Sequence, residues 1–260
     1  MIKIFDESTY PNDILQIRDQ VYALPINIKN EIMETEHIRD YIYKEINKVS
    51  IIQNIYKTLI VKLDSYCLML YHNTRVLDCS TFRDNGIIFS NNKRLNILKG
   101  SMEKLNIDSD SINKIMDLIV QEINRHGSNG DNSRVNEICF YFDINAFKEF
   151  DKYLALFGGE LLIYALDGKI DKELYKRIMK IGLPYIIVFS LPFKSLGKYI
   201  KEDIARYMIE DWIHLNILKD ETNHLYSGKS EIEIPSKDII EICEIKDSFK
   251  EIDDYYFWKN

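Results

Sequence analysis

Glycine and proline are scarce, at 10 and 5 of 260 residues, while 46% of the residues are hydrophobic. That balance excludes a collagen-like chain and a disordered one, because enough apolar side chain is present to build a core. Cysteine is also sparse. Cys67, Cys79, Cys139 and Cys243 stand far apart, with no C-x-x-C pair and no Cys/His spacing that suits zinc. Three of them sit in apolar stretches, so the sequence reads as a cytoplasmic protein with reduced, buried thiols. No apolar run approaches the ~20 residues that span a bilayer, and the opening MIKIFDESTYPNDILQ lacks the apolar core of a signal peptide. Neither secretion nor membrane insertion is expected. Excess positive charge is missing too: 34 Lys and Arg face 41 Asp and Glu, a net charge of -7. Extensive binding to nucleic-acid phosphates is therefore disfavoured unless basic residues cluster locally. There is no G-x-x-x-x-G-K-[ST] phosphate loop, no G-x-G-x-x-G turn, no G-x-S-x-G elbow and no H-E-x-x-H helix.

What is present is a mixture of helical and strand-like texture. Residues 10–60 read as helical: Asn12 and Asp13 are suited to cap ILQIRDQVYAL, and Pro25 ends that segment. Residues 27–48 read as one longer helix, with Ile28, Ile32, Ile38, Ile42 and Ile46 forming an apolar stripe. Beyond Ile51 come short β-like runs, of which TLIVKL, YCLMLYH, NEICFYF, ELLIYAL, PYIIVFSLPF and SEIEI are the clearest. Helices are expected over 111–125, 172–180 and 198–218, and GSNGDNSR (127–134) reads as a surface loop. Strands and helices alternate without a βαβ rhythm, which predicts an α+β fold. The expected organisation is a helical N-terminal extension, 1–60, followed by one domain, 61–260.

The stretch LMLYHNTRVLDCSTFRDNGIIFS, residues 68–90, carries the most chemistry. A strand delivers His72, Asn73, Thr74 and Arg75 near its end; Ser80 then suits a helix cap, and Gly86 suits the residue that ends that helix. An imidazole, a hydroxyl and a guanidinium at a strand end match a ligand with ribose hydroxyls and phosphates. His37, His126, His214 and His224 are scattered and read as structural or surface residues, with His224 the one nearest a candidate carboxylate.

The order strand, H-x-[ST]-R, short helix, N-G-[IL] resembles the opening NAD-binding motif of ADP-ribosyltransferases of the histidine, tyrosine, glutamate type, the diphtheria-toxin and poly(ADP-ribose) polymerase branch. The resemblance implies a split β-sandwich around an NAD cleft and spans residues 66–250 through three motifs. It implies that His72 holds a ribose hydroxyl and that Arg75 meets the pyrophosphate. Asn73 stands where many members have a glycine whose backbone meets the nicotinamide amide. In the second motif, EICFYFDINAFKEFDKY (137–153), Tyr153 would stack on nicotinamide, with Tyr141 as the alternative. In the third, LYSGKSEIEIPSKDIIEICEI (225–245), Glu231 takes the catalytic place. Glu233, two residues on and so on the same face of a strand, could cooperate or replace it; both equally suit a solvated strand edge. Glu160 in F-G-G-E is a reserve carboxylate, or the outer corner of a tight turn. The resemblance further implies transfer of ADP-ribose from NAD to a protein or nucleic-acid acceptor, a toxin or antiphage role, and an inhibitory partner protein. NAD hydrolysis, removal of an RNA 2'-phosphate and a non-catalytic binding module stay open as alternatives.

Overall fold

The computed structural model describes residues 1–90, 92–128, 136–148, 157–220 and 226–245. The chain is mixed α and β, an α+β protein with a five-stranded sheet. Its helices are α1 (Asn12–Tyr22), α2 (Ile26–Met33), α3 (Ile38–Ile46), α4 (Ile51–Leu63), α5 (Ser80–Asn85), α6 (Asn92–Glu103), α7 (Ser109–Ser128), α8 (Gly159–Leu166), α9 (Lys172–Met179) and α10 (Lys198–Ile213). The strands are β1 (Cys67–Val76), β2 (Ile138–Tyr141), β3 (Leu183–Pro192), β4 (Ser227–Ser230) and β5 (Ile239–Glu244), in the sheet order β4-β2-β1-β3-β5. β3 is buried on both faces from Pro184 to Phe189, as its unbroken apolar run requires. It pairs antiparallel with β5, Tyr185 opposite Glu244 and Ile187 opposite Ile242, with a bulge at Val188/Phe189.

Two compact units make up the chain. One comprises residues 1–70, 141–143 and 190–228; the other comprises 71–140, 144–189 and 229–260. In the first unit, α1, α4 and α10 pack on one another, and α3 packs on α4 and α10. Ile14, Ile17 and Val21 of α1, Ile52, Ile55, Leu59 and Leu63 of α4, and Ile204, Met208 and Trp212 of α10 are buried. Tyr10 meets Trp212 edge to face at 6.1 Å. Arg39 lies over Tyr226 at 5.2 Å, and Tyr226 stacks on Tyr207 at 4.0 Å.

In the second unit, the core joins α6, α7, α8 and α9 through Leu98, Met102, Ile115, Ile119, Leu162, Leu166, Ile178 and Met179. Asp171 caps α9 by accepting from the N–H groups of Glu173 and Leu174, 3.0 Å each. Gly182, at φ +76°, turns the chain from α9 into β3 where a Cβ would fall 2.0 Å from the Val76 carbonyl oxygen.

Several local expectations change: α1 follows Pro11 with no side-chain cap from Asn12 or Asp13, and Ser80 is the first residue of α5 rather than its cap. TLIVKL lies within α4, because Ile52, Ile55, Leu59 and Leu63 recur at helical steps and Ser50 caps the helix by accepting from the Gln53 N–H at 3.0 Å. ELLIYAL is helix α8: it is apolar on nearly every side, and a buried helix of that kind cannot be told from a buried strand by periodicity. The single helix over 27–48 is two, α2 and α3. Ile32 and Ile38 are six residues apart, which turns a continuous helix by about 240° between them, and the break lets both be buried. SEIEI is not a strand; β4 ends at Ser230, Ile234 forms one bridge, and the next strand is β5. The stretch 129–134 of the expected loop lies outside the described residues.

Candidate functional site

A cleft of about 330 Å³ opens within the second unit. That volume is at the lower end of the range for small-molecule sites. One wall is the C-terminal half of β1. Strand alternation turns His72 and Thr74 to the same side, and both line the cleft together with Arg75. Asn73 goes to the other side, where it is 7% exposed and its Nδ2 is buried without an acceptor.

His72 is half-buried, and burial is the main cause that draws its imidazole down to about 4. The Cys139 carbonyl works against that shift and the charge of Arg94 adds to it. The ring is therefore neutral at pH 7. Its Nδ1 is 2.8 Å from the Cys139 carbonyl oxygen, which can only accept, so the proton sits on Nδ1. Nε2 then carries a lone pair and accepts a hydrogen bond from a ligand hydroxyl.

Arg75 points its guanidinium at the end of α9, Nε donating to Ile181 O at 3.2 Å and Nη2 to Lys180 O at 3.4 Å. It thereby satisfies carbonyls that the helix leaves without an internal partner and lies at the negative end of the helix dipole.

The rim of the cleft is α5 and the turn after it. Asp78 lies just before the helix and accepts from the Ser80 N–H at 2.9 Å; hydrogen bonding by the Ser80 side chain first, and by its backbone second, holds the Asp78 carboxyl below the usual range. Gly86 ends it at φ +72°, donating to Phe82 O at 2.9 Å. A Cβ on Gly86 would fall 1.9 Å from the Ile234 carbonyl oxygen. That close approach exists because Ile87 and Ile234 exchange two backbone bonds of 2.9 Å. The first and third sequence motifs therefore meet at one turn. Glu233 Oε1 accepts from the Phe89 N–H at 3.0 Å, and Glu231 is exposed three residues before the Ile234 bridge. Neither glutamate lines the cleft.

Tyr141, at the end of β2, is 7% exposed, belongs to the first unit and does not line the cleft. Tyr153 lies outside the described residues, as does the side chain of Glu160, which stands in the first turn of α8.

The opposite wall was not visible in the sequence. It is α6, which contributes Arg94, Asn96, Ile97, Gly100 and Ser101, with Lys104 just beyond its end. Arg94 Nη2 donates to Gly158 O at 3.2 Å, joining α6 to the glycine pair that precedes α8. Burial pulls the Arg94 guanidinium below its ordinary value, which still leaves it charged at pH 7. Gly158, part of F-G-G-E, lines the cleft together with Phe157. A basic pair ten residues apart with a glycine between them was the available signal; nothing in the spacing connected it to His72.

The cleft lining thus offers a neutral imidazole acceptor, hydroxyl side chains, the cations Arg94 and Lys104 beside the carboxylates Asp78 and Asp84, and apolar surface from Phe82, Ile87, Ile97 and Phe157. This set suits a ligand with sugar hydroxyls, flat rings and negative charge. Among the described residues, no group of three or more His, Cys, Asp or Glu is placed to hold a metal ion. Comparison with protein-family models, with curated proteins and with solved structures finds no match for this chain.

Proposed function

We propose that the cleft takes NAD as substrate and that the chain is an NAD-dependent ADP-ribosyltransferase, which breaks the nicotinamide–ribose bond and passes ADP-ribose to a macromolecular acceptor. One observation carries this reading: His72 and Thr74 line the same cleft as the Gly86–Ile87 turn, and that turn pairs with the segment that bears Glu231. The finer fold, a split β-sandwich around an NAD cleft, belongs to the same proposal.

In this reading His72 accepts from a ribose hydroxyl through Nε2, and Thr74 offers a second short polar contact. Breaking the glycosidic bond builds positive charge on the ribose, and a carboxylate placed beside it stabilises that charge. Glu231 is the proposed carboxylate. It stands three positions before Ile234, so its Cα is at most about 10 Å from that of the bridge residue. Tyr153 is proposed to stack on nicotinamide. The charge balance of -7 favours a protein acceptor over a nucleic acid. A cytoplasmic setting, a toxin or antiphage role and an inhibitory partner protein are part of the proposal. For the first of these, the support is that all four cysteines are free, although Cys67 and Cys139 are exposed and Cys79 and Cys243 half-buried where buried thiols were expected, and that no helix among the described residues is long and apolar enough to cross a membrane.

A second reading, a nucleotide-binding module without turnover, is favoured by the absence of any glutamate among the described residues that line the cleft. Incubation with NAD labelled in its adenine, in the presence of cell extract, separates the readings. Transfer of label to protein or nucleic acid, lost in Glu231→Gln, is the expected result. Label released as free ADP-ribose points to hydrolysis, and intact NAD that nevertheless binds points to the module. Removal of a 2'-phosphate from RNA is tested separately with a 2'-phosphorylated oligonucleotide.

A further inference from the structure

Gly100 lies in the last turn of α6 and lines the cleft. Glycine is a poor choice inside a helix, because it gains the least from the helical backbone and loses the most freedom. Two reasons commonly retain one, and neither applies. The backbone there is not in the left-handed region, and a Cβ built on Gly100 would meet no heavy atom of the other described residues within 4 Å, its chain neighbours and own helix backbone aside. Alanine would fit the protein and strengthen the helix. What the glycine leaves is a patch of bare helix backbone facing open space in the cleft.

The neighbours of that patch are set by helical geometry. Residues three and four positions away share a helix face, so Gly100 is bordered by Asn96 and Ile97 one turn before it and by Lys104 one turn after it. The helical hydrogen bonding extends that far, since the Lys104 N–H donates to Gly100 O at 3.2 Å. All three neighbours line the same cleft. The patch therefore offers a flat surface beside an apolar side chain, with a carboxamide on one side and an ammonium group on the other. A planar heterocycle fits this set: its face lies on the bare backbone and Ile97, its edge bonds to the Asn96 amide, and an attached phosphate meets Lys104.

We propose that Gly100 is a specificity-determining position, at which the planar ring of a bound nucleotide lies against the exposed backbone of α6. The inference rests on the reading of the cleft as an NAD site and assigns to it a second wall, opposite His72 and Thr74.

The test is calorimetric titration of NAD and of AMP into the full-length protein and into Gly100→Ala, with the melting temperature of each free protein measured alongside. Lys99→Ala, an exposed position of α6 that does not line the cleft, is the control. Gly100→Ala is expected to raise the melting temperature by roughly 2–4 °C, as helix propensity dictates for a chain of this size. It is expected to weaken NAD binding about tenfold or more, because the added methyl occupies the ring's place. Lys99→Ala should bind as the parent does. An equal loss for AMP assigns the ring to adenine, and a loss confined to NAD assigns it to nicotinamide. Unchanged NAD affinity in Gly100→Ala would overturn the proposal while leaving the nucleotide reading in place. A lower melting temperature accompanying weaker binding would overturn it as well, since the glycine would then be structural. A parent protein that binds neither NAD nor AMP would overturn both.

Discussion

His72 carries a pH signature that separates its role from that of a surface histidine. The unfolded imidazole titrates near 6.5 and the folded one near 4, so between those values the unfolded chain holds more protons and stability rises with pH. The contribution of the neutral ring is complete above pH 6.5 and is lost as pH falls towards 4. The parent protein is therefore expected to lose more stability between pH 7 and pH 5 than His72→Gln, which has no proton to gain; denaturant unfolding at the two pH values measures the difference. Gly86 is the second residue on which the site depends. Gly86→Ala forces a side chain into the left-handed region and into the Ile234 carbonyl, and should cost at least 2 kcal/mol in the same unfolding assay. At this scale the sequence was most informative where chain neighbours act together. The H-x-T spacing alone puts His72 and Thr74 on one strand face, and Gly86 was legible as a helix end. Arg94 and Gly100 were not, since their relation to His72 exists only after α6 packs across the cleft.

Helix ends and apolar steps account for most of the elements that could be read in advance. α9 was legible from its end, where Gly182 and Pro184 follow it, while its Asp171 cap emerged only in the structure. Asp171→Ala leaves two N–H groups without their acceptor and is expected to lower stability by about 1 kcal/mol, visible as a fall of roughly 2–4 °C in the melting temperature. α4 and α8 were misread for one physical reason: a densely apolar segment has too little polar face to reveal its period, and β-branched residues such as Val61 then tip the reading towards strand. Ile115, fully buried in α7 among residues of the second unit's core, supplies a contrast to the cap. Ile115→Ala should cost about 2–5 kcal/mol in denaturant unfolding, because the cavity it leaves cannot be filled by side chains already held in place. The meeting of the Gly86–Ile87 turn with Ile234 could not be read from either segment, since nearly 150 residues separate them and a single bridge leaves no periodic trace.

For the whole molecule, composition set the class and the structure supplied the arrangement. The apolar fraction and the irregular alternation of elements were enough for α+β, whereas the division into two units, each assembled from separate stretches of chain, follows from tertiary packing that no local pattern encodes. The proposed activity depends on one cleft in one unit acting on NAD. The most direct test is the release of free nicotinamide from NAD by the purified protein, alone and with cell extract, beside Glu231→Gln and His72→Gln. The expected result is release by the parent protein that Glu231→Gln loses and His72→Gln reduces at least tenfold. No release under any condition from a folded parent protein would contradict the account.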